Sequence, residues 1–179
     1  VYYYISPKLW AWKSYRIKSI KKYIDKMYTI FPFETEFYAQ YNYPVTYVGN
    51  PTVDSITHFH ASKNNRNFRE ENKLDSRPIV ALLAGSRRQE ISKCLPTMVE
   101  MADKFPTFQF LVAAAPGIER NYYNQFLTSS VKIVSDSTYA LLDESYAAIV
   151  NSGTATLETG LLKVPQVVVY HVIGGRIAS

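Results

Sequence analysis

The stretch AAIVNSGTATLETG, residues 147–160, passes from an apolar strand pattern to a helical pattern through small hydroxyl residues and a glycine. Free N–H groups at the start of a helix, together with the helix dipole, make such a junction attractive to phosphate. Turn chemistry and helix capping explain the same residues without any ligand. Local rules therefore leave two alternatives open, a capped turn or an anion-binding site.

The carboxylate of Glu158 bears on this choice. A capping box places its acid three residues after the capping Ser or Thr, but that position holds Ala155 if Ser152 is the cap and Leu157 if Thr154 is the cap. Glu158 could complement the helix dipole, and a carboxylate one turn into the helix could also accept hydrogen bonds from two sugar hydroxyls. The junction thus predicts, beside the capping alternative, a site for a phosphate and a ribose.

Outward from this junction, short β-branched runs alternate with helical patterns. From residue 79 onward we predict strands at IVALLA, FQFLVAAA, VKIV, AAIV and QVVVYHV, and helices at about 88–104, 118–127, 138–144 and 154–162. This alternation is typical of parallel strands joined by right-handed crossovers, and the apolar strands indicate helices on both faces of the sheet. Residues 78–179 are therefore predicted to form a Rossmann-like domain, truncated at its C-terminus.

Residues 1–56 are predicted to be part of a second α/β unit. Strands are expected at VYYYI, KMYTI and VTYVG, and helices at LWAWKSYRIKSIKKYI and ETEFYAQYN. In the first of these helices, isoleucines at i, i+3 and i+7 form one apolar stripe, and lysines occupy the other side. Residues 57–77 are polar and lack periodicity, which predicts a linker that is partly helical at most.

Composition excludes several classes of protein. The 179 residues are 47% hydrophobic, which suffices for a core and argues against wholesale disorder. No apolar run reaches the roughly 18 to 20 residues that span a bilayer, and no signal-peptide pattern is present. Cys94 is the single cysteine. It therefore cannot form an internal disulfide, and we expect a buried thiol in a reducing compartment.

Positive charge is concentrated at the start of the chain. The net charge is +5, and residues 1–30 alone contain seven Lys or Arg and one Asp. Nucleic-acid binding would require a recognition motif beside the basic surface, and the sequence contains none that we recognise. A local basic and aromatic segment instead favours an anionic membrane surface or a phosphorylated ligand.

A second junction, LLAGSRRQEI at residues 82–91, also lies at the carboxyl end of a predicted strand, where ligands bind in open α/β sheets. Ser86 with Gln89 three residues later fits a capping box, so Ser86 could simply cap its helix. Two arginines in a first helical turn oppose the helix dipole, and a bound phosphate would offset that cost. A functional role is favoured for Arg87, whereas for Arg88 the two alternatives are balanced.

Other candidate positions have simpler explanations. Asp136 and Ser137 are expected to cap the helix that follows them. His58 and His60 lack further ligands at metal spacing and are expected at the surface, while His171 ends a predicted strand at the ligand edge. The sequence contains neither GxGxxG nor GxxxxGK[ST], which disfavours a dinucleotide site and a P-loop.

Several stretches together resemble one family. YYISPKLWAWKSYRIKSI, IFPFETEFY, YVGNPTVD, ALLAGSRRQEI and NSGTATLETGLLKVPQVVVY follow the order found in bacterial lipid-A-disaccharide synthase, a glycosyltransferase of the two-domain GT-B type. The resemblance runs across nearly the whole chain. It implies a GT-B fold, in which a C-terminal Rossmann-like domain holds the nucleotide sugar and an N-terminal α/β domain holds the acceptor.

The resemblance also implies an activity. Members of the family join UDP-2,3-diacylglucosamine to 2,3-diacylglucosamine 1-phosphate, forming the β-1,6-linked lipid A precursor and releasing UDP. The expected partners are the UDP-sugar lipid donor, the acylated glucosamine phosphate acceptor and the inner-membrane surface of a Gram-negative bacterium, which the protein would meet from the cytoplasm. Neither a metal nor another cofactor is expected, nucleic acid is not a partner, and a homodimer is compatible with the resemblance.

Site residues follow by the same resemblance. Gly85, Ser86 and Arg87 would contact the diphosphate, with Arg87 stabilising the leaving group. The phosphate would also meet Ser152, Gly153, Thr154 and Ala155, and Glu158 would bind the ribose. The acceptor or membrane side would comprise Trp10, Trp12, Lys18, Lys21 and Lys22.

Some residues depart from the family pattern. Asn50 stands where Gly-His-Pro is usual, Ala84 replaces a proline before Gly-Ser-Arg, and Asn151 precedes Ser-Gly-Thr. The family's first strands, its presumed catalytic aspartate and its final helices have no counterpart here, so we expect the general base to lie outside this fragment and the fragment alone to be inactive. Two alternatives stay open: another UDP-sugar enzyme of GT-B type, such as an epimerase or a peptidoglycan glycosyltransferase, and a non-enzymatic membrane-associated module.

Overall fold

The computed structural model describes residues 1–62 and 67–170. The chain divides into two compact units, Val1–Ala61 and Ser62–Ser179. Each unit contains its own parallel sheet and its own buried apolar core. The predicted α/β class with parallel strands is confirmed for both.

The N-terminal unit contains a three-stranded sheet in the order β1-β2-β3, with parallel pairing throughout. Its strands are β1 (Tyr2–Tyr4), β2 (Lys26–Thr29) and β3 (Thr46–Tyr47), and its helices are α1 (Ile17–Tyr23), α2 (Phe33–Ala39) and α3 (Pro51–Ala61). The predicted apolar stripe is confirmed, because Ile17 and Ile20 are buried with Met27 and Tyr38 in the core of this unit.

The predicted first helix, residues 9–24, is wrong in its N-terminal half. The structure has a 3₁₀ turn at Ser14–Arg16 followed by the short helix α1, so both tryptophans precede the helix. Lys13 has a left-handed backbone with φ 58°, which interrupts helical geometry at that point. Trp10 is also held by a distant group, since its Nε1 donates to the Glu34 carboxylate at 3.3 Å.

The C-terminal unit contains a five-stranded parallel sheet in the order β6-β5-β4-β7-β8. Its strands are β4 (Ile79–Leu83), β5 (Gln109–Ala113), β6 (Val131–Val134), β7 (Ser145–Asn151) and β8 (Gln166–Val169). Its helices are α4 (Phe68–Glu71), α5 (Arg88–Lys104), α6 (Arg120–Asn124), α7 (Thr138–Asp143) and α8 (Thr154–Leu161). This strand order is Rossmann-like, as predicted from the alternation of strands and helices.

Successive residues of the central strands pack on opposite faces of this sheet. Every residue of β4 and β5 is buried. Val80 and Leu82 belong to a cluster that includes Leu95 of α5, whereas Ala81 belongs to a second cluster that includes Leu141 of α7. Helices therefore cover both faces, which explains the continuous apolar runs of these strands.

The predicted linker, residues 57–77, contains helical structure at its start and again at residues 68–71. Helix α3 extends to Ala61, and α4 begins after Asn67, whose Oδ1 accepts hydrogen bonds from the N–H groups of Arg69 (3.2 Å) and Glu70 (3.4 Å). Phe68 is buried against the C-terminal sheet. The linker assignment stays a prediction for the residues between these elements.

Burial of Tyr38 predicts a pH dependence of stability. The Tyr38 side chain is fully buried, and this burial raises its pKa from 10.0 to about 12. Because the folded pKa lies above the unfolded one, this contribution to stability is complete below pH 10 and is lost between pH 10 and about 12. Over that range, wild type should lose about 2 kcal/mol more of its free energy of unfolding than Tyr38→Phe.

Urea unfolding of the N-terminal unit at a series of alkaline pH values checks this expectation. Tyr15→Phe is the matched control, because the Tyr15 side chain is 67% exposed. A decline with pH that is identical in wild type and Tyr38→Phe would contradict the prediction.

Candidate functional site

A cavity of about 350 Å³ lies at the carboxyl ends of β4, β5 and β7. After β4 the chain enters α5 on one face of the sheet, and after β7 it enters α8 on the other. Two adjacent strands whose connections depart to opposite faces form a topological switch point, where open α/β sheets bind ligands. The cavity volume is at the lower end of the range found for small-molecule sites.

The cavity brings together two segments that are distant in sequence. Its lining includes all eight residues predicted for the donor site: Gly85, Ser86, Arg87, Ser152, Gly153, Thr154, Ala155 and Glu158. It also includes the last residue of β5, the loop that follows it (residues 114–116) and Thr138. The roles of these residues in binding stay predictions.

A carboxylate occupies the anion-accepting position in the loop after β4. Glu90 Oε2 accepts hydrogen bonds from the N–H groups of Ser86 (2.9 Å) and Arg87 (3.3 Å), and its Oε1 accepts one from Arg87 Nη1 (3.0 Å). The close approach requires glycine at position 85, where φ is +111° and an added Cβ would lie 2.5 Å from Glu90 Oε2. The loop thus presents the donors that a phosphate would use.

The predicted capping box of Ser86 and Gln89 is wrong. Helix α5 begins at Arg88 with Arg87 in the N-cap position, and the Glu90 side chain accepts the N-cap N–H. A capping box shifted by one residue, with Arg87 at the N-cap and Glu90 at the third helical position, matches the observed hydrogen bonds. An arginine is not a capping residue by type, so sequence rules placed the cap on the serine.

The two arginines of this junction differ in their surroundings. Arg87 lines the cavity, and its side chain is 80% exposed. Arg88 lies over the ring of Tyr122, with its guanidinium carbon 4.9 Å from the ring centre, and is not among the cavity residues. This contact with an aromatic ring is attractive for a cation and favours the structural alternative for Arg88.

The loop after β7 leads into α8 without a side-chain cap. Gly153 occupies the N-cap position with an extended backbone, and the Thr156 hydroxyl donates to the Gly153 carbonyl at 2.7 Å. An added Cβ at Gly153 would have Asn151 O, 4.0 Å away, as its nearest neighbour. The Thr156 N–H also donates to the Gly153 carbonyl, at 3.2 Å. The N–H groups of the first two helical residues lack partners within the helix, so this end is suited to water or an anion.

Two lining contacts were not expected from the sequence. Asn151, the last residue of β7, is 9% exposed, and its Oδ1 accepts a hydrogen bond from the Cys94 thiol at 3.4 Å. Tyr139 on α7 donates from its hydroxyl to Glu158 Oε1 at 3.0 Å. A polar residue that ends a buried strand could have indicated Asn151, but no local pattern relates Tyr139 to a residue nineteen positions later.

Other predicted positions have structural roles. Ser137 stands at the N-cap of α7, but its side chain makes no capping hydrogen bond, so that expectation is wrong. Asn50 Oδ1 accepts the Thr52 N–H at 3.0 Å and thereby caps the start of α3. Cys94 is buried as expected, and burial, followed by the nearby Glu90 charge, raises the pKa of its thiol.

The predicted histidines are exposed or outside the described part of the chain. His58 and His60 lie on exposed positions of α3, as expected. His171 lies outside the described residues. Across residues 1–62 and 67–170, no group of three or more His, Cys, Asp or Glu side chains is arranged to hold a metal ion.

Residues predicted for the acceptor or membrane side all lie in the N-terminal unit. Trp10 packs edge-on against Phe33 at 5.1 Å between ring centres and is 40% exposed, and Trp12 is 74% exposed. Lys18, Lys21 and Lys22 are exposed on α1. Within the described residues, no helix is both long enough and apolar enough to cross a bilayer.

The carboxylate of Glu34 organises the aromatic end of this unit. It is 1% exposed and accepts hydrogen bonds from the Ser6 hydroxyl, Trp10 Nε1 and the backbone N–H of Phe31 (3.0 Å). Buried carboxylates require such donors. The Pro-Phe-Glu and Trp-Ala-Trp motifs are thus parts of one hydrogen-bonded structure.

Comparison with known proteins gives concordant results for almost the whole chain. A family model described as lipid-A-disaccharide synthetase matches residues 1–174. The chain is 39% identical over 176 residues to lipid-A-disaccharide synthase of Coxiella burnetii (strain Dugway 5J108-111), and 40% identical over 180 residues to that of Myxococcus xanthus (strain DK1622). Both alignments cover 96% of this chain and 46% of the relative, so the chain spans about half the length of the curated relatives it matches.

Solved structures with low sequence identity share the fold. A UDP-GlcNAc 2-epimerase from Neisseria meningitidis, bound to UDP-GlcNAc, has a TM-score of 0.62 at 17% identity, covering 81% of this chain and 44% of its own. The S. aureus MnaA-UDP co-structure has a TM-score of 0.63 at 13% identity, covering 84% of this chain and 43% of its own. These likenesses support the two-unit α/β fold of GT-B type.

The two cavity glycines should respond differently to an added methyl group. Gly85→Ala forces a Cβ against Glu90 and an alanine into positive φ, and should destabilise the C-terminal unit by about 1–3 kcal/mol. Gly153→Ala is the matched control, because its extended backbone and open surroundings accept a Cβ. Its free energy of unfolding should stay within about 1 kcal/mol of wild type.

Urea unfolding monitored by circular dichroism measures both free energies. Equal stability of the two variants would contradict the strained loop geometry at position 85.

Proposed function

Because the chain belongs to the lipid-A-disaccharide synthetase family, we propose that it supplies the donor site, and part of the acceptor side, of a lipid-A-disaccharide synthase. The reaction joins UDP-2,3-diacylglucosamine to 2,3-diacylglucosamine 1-phosphate, and the products are the lipid A disaccharide precursor and UDP. The observation that carries this proposal is the cavity at the switch point, where the starts of α5 and α8 meet and where Glu90 and Glu158 are both lining residues.

The diphosphate of the donor would bind between the loops that follow β4 and β7. One loop offers the N–H groups of Ser86 and Arg87 with the Arg87 guanidinium, and the other offers the N–H groups of Thr154 and Ala155 at the start of α8. Bound phosphate gains charge-assisted hydrogen bonds from both. Positive groups placed at the departing UDP stabilise the charge that develops on it in the transition state.

Arg87 must leave Glu90 in order to bind the donor. Their ion pair is exposed on the arginine side, and exposed pairs contribute only about 0.2–1 kcal/mol. A diphosphate carries more charge than one carboxylate and accepts bidentate hydrogen bonds from Arg. We propose that the diphosphate replaces Glu90 both at the Arg87 guanidinium and at the N–H groups of Ser86 and Arg87, which Glu90 Oε2 accepts in this structure. Arg87 is the residue proposed to stabilise the leaving group.

Glu158 is proposed to bind the ribose. It lines the same cavity one turn into α8, so the sugar would lie beside the phosphate site. A carboxylate has about four lone-pair positions and can accept hydrogen bonds from two neighbouring hydroxyls. The nucleoside would thus be held by Glu158 and its diphosphate by the two loops.

The N-terminal unit is proposed to face the acceptor lipid and the anionic inner-membrane surface. Its exposed tryptophans and the lysines of α1 provide apolar and basic contacts of the kind that bind lipid interfaces. The proposal accordingly includes a peripheral enzyme at the cytoplasmic side of the inner membrane of a Gram-negative bacterium. The proposal involves no metal or other cofactor, and it is compatible with a homodimer.

A first experiment tests the donor site through the second phosphate. UDP should bind about tenfold more tightly than UMP, since it gains charge-assisted hydrogen bonds from Arg87 and the loop N–H groups. Arg87→Ala should remove most of this preference, whereas Glu158→Gln should lower the affinities for UDP and UMP by a similar factor. Calorimetric titration of each protein with both nucleotides provides the affinities.

Arg88→Ala is the matched control, because it removes the adjacent positive charge at a residue that contacts Tyr122 instead of the cavity. It should retain most of the wild-type preference for UDP. Absence of saturable UDP binding to wild type would refute the donor site, and equal UDP and UMP affinities would refute its phosphate half.

A second experiment tests the lipid-facing surface. Replacing Lys18, Lys21 and Lys22 with Gln should weaken binding to vesicles containing anionic phospholipid by at least about tenfold, because each lysine near such a surface contributes about 1 kcal/mol. It should also reduce the salt dependence of binding. Vesicle co-sedimentation at several salt concentrations measures both effects.

A triple variant with the same loss of charge is the control. Lys93, Lys104 and Lys163 are exposed residues of the C-terminal unit, and their replacement with Gln should change vesicle affinity much less. Equal losses in both triple variants would indicate a response to net charge alone and would contradict a specific surface on α1.

A further inference from the structure

The proposed ribose carboxylate is hydrogen-bonded to a tyrosine from another helix. The Tyr139 hydroxyl on α7 donates to Glu158 Oε1 on α8 at 3.0 Å, and the contact is partly buried. Thr138, the residue before Tyr139, lines the cavity together with Glu158. The hydrogen bond thus joins two helix starts that lie at the same edge of the sheet.

This tyrosine is a neutral donor at physiological pH. Burial and the adjacent Glu158 charge raise the pKa of Tyr139 to about 12, so its hydroxyl keeps its proton. A neutral donor fixes the carboxylate without cancelling its charge, as an arginine or lysine would. The hydrogen bond uses one of the carboxylate's lone-pair positions and leaves the others for further donors.

Fixing Glu158 in advance has a consequence for binding. A glutamate side chain loses substantial rotamer freedom when it is immobilised, and this cost lowers the affinity of any ligand that must order it. A side chain already held by another residue has lost that freedom before the ligand arrives. Hydroxyl groups of the ligand then meet a carboxylate in the orientation that binds them.

We propose that Tyr139 is a positioning residue that orients Glu158 toward the ribose hydroxyls and so determines preference for a ribonucleotide over a deoxyribonucleotide. The inference rests on the proposed function, because it assumes that a uridine nucleotide occupies this cavity. It adds a residue that acts through Glu158 and does not itself touch the diphosphate. The loops after β4 and β7 do not take part in it.

The test compares UDP with 2′-deoxy-UDP by calorimetric titration of the full chain. Wild type should bind UDP about tenfold more tightly, because the deoxy sugar lacks one of the hydroxyls that would donate a hydrogen bond to Glu158. Tyr139→Phe keeps the ring and removes the donor. It should lower the affinity for UDP about three- to tenfold and change the affinity for 2′-deoxy-UDP much less, so that most of the preference for the ribose is lost.

Two controls separate positioning from a general effect on structure. Tyr146→Phe removes a hydroxyl from an exposed tyrosine near Phe108 and should leave both affinities unchanged. The UDP-over-UMP preference should survive in Tyr139→Phe, since the phosphate loops are intact. Thermal unfolding of each variant shows whether it is folded under the titration conditions.

A double variant tests whether Tyr139 acts through Glu158. If it does, the double variant Tyr139→Phe with Glu158→Gln should bind UDP no more weakly than Glu158→Gln alone. The effects of substitutions at interacting residues are not additive. Additive losses would overturn the inference, and so would an unchanged ratio of UDP to 2′-deoxy-UDP affinity in Tyr139→Phe. Absence of UDP binding to wild type would instead refute the proposed function, and the inference with it.

Discussion

The adjacent parallel strands β4 and β7 lie at the centre of the C-terminal sheet, and their connections leave toward opposite faces. This separation prevents the two following helices from packing over the strand ends, so a cavity remains there. The strands themselves are fixed by burial, since every residue of β4 is buried and alternate side chains enter two different cores. Everything proposed about nucleotide binding depends on that pairing, because it brings residue 85 close to residue 151 across 66 positions of sequence.

The cavity is arranged by its own polar groups as much as by the sheet. Glu90 accepts hydrogen bonds from the loop N–H groups after β4 and keeps those groups turned toward one point, where the diphosphate takes its place in the proposed complex. Asn151 accepts a hydrogen bond from the Cys94 thiol, and Tyr139 donates one to Glu158. Each of these contacts fixes a side chain or a loop that borders the cavity. Preorganisation of this kind reduces the ordering cost that a ligand has to meet, which is the general reason that binding sites are largely formed before the ligand arrives.

The N-terminal unit shows the same dependence on one buried polar group. Glu34 joins the segment that contains Trp10 to the turn between β2 and α2, and the aromatic rings of Trp10, Phe31 and Phe33 pack around that point. Because a buried carboxylate needs its donors, the exposed aromatic surface is fixed by the carboxylate beneath it. This explains why Trp10, which lies outside any helix, still has a defined position.

The sequence determined the order of the strands and of most helices, although helix α3 was not predicted. Helix α5 was predicted at about 88–104 and is found at Arg88–Lys104, since its apolar period and flanking turns are local properties. It also indicated the residues of both loops that line the cavity, because small and hydroxyl residues between a strand and a helix are recognisable without coordinates. Membership of the family was likewise readable from short motifs in their order along the chain.

Only the tertiary structure decided which groups meet. Trp10 and Trp12 were assigned to a helix that the left-handed Lys13 backbone and the Glu34 contact exclude. At the start of α5, the Glu90 carboxylate accepts the N–H group of Ser86, and Ser86 does not cap the helix as expected. Asn50 caps α3, whereas the resemblance indicated only that the usual histidine is absent at this position. The pairing of Tyr139 with Glu158 depends on how α7 and α8 start at the same sheet edge. Local patterns report the period and chemistry of neighbouring residues, whereas such contacts depend on strand order, which is set by burial over the whole sheet.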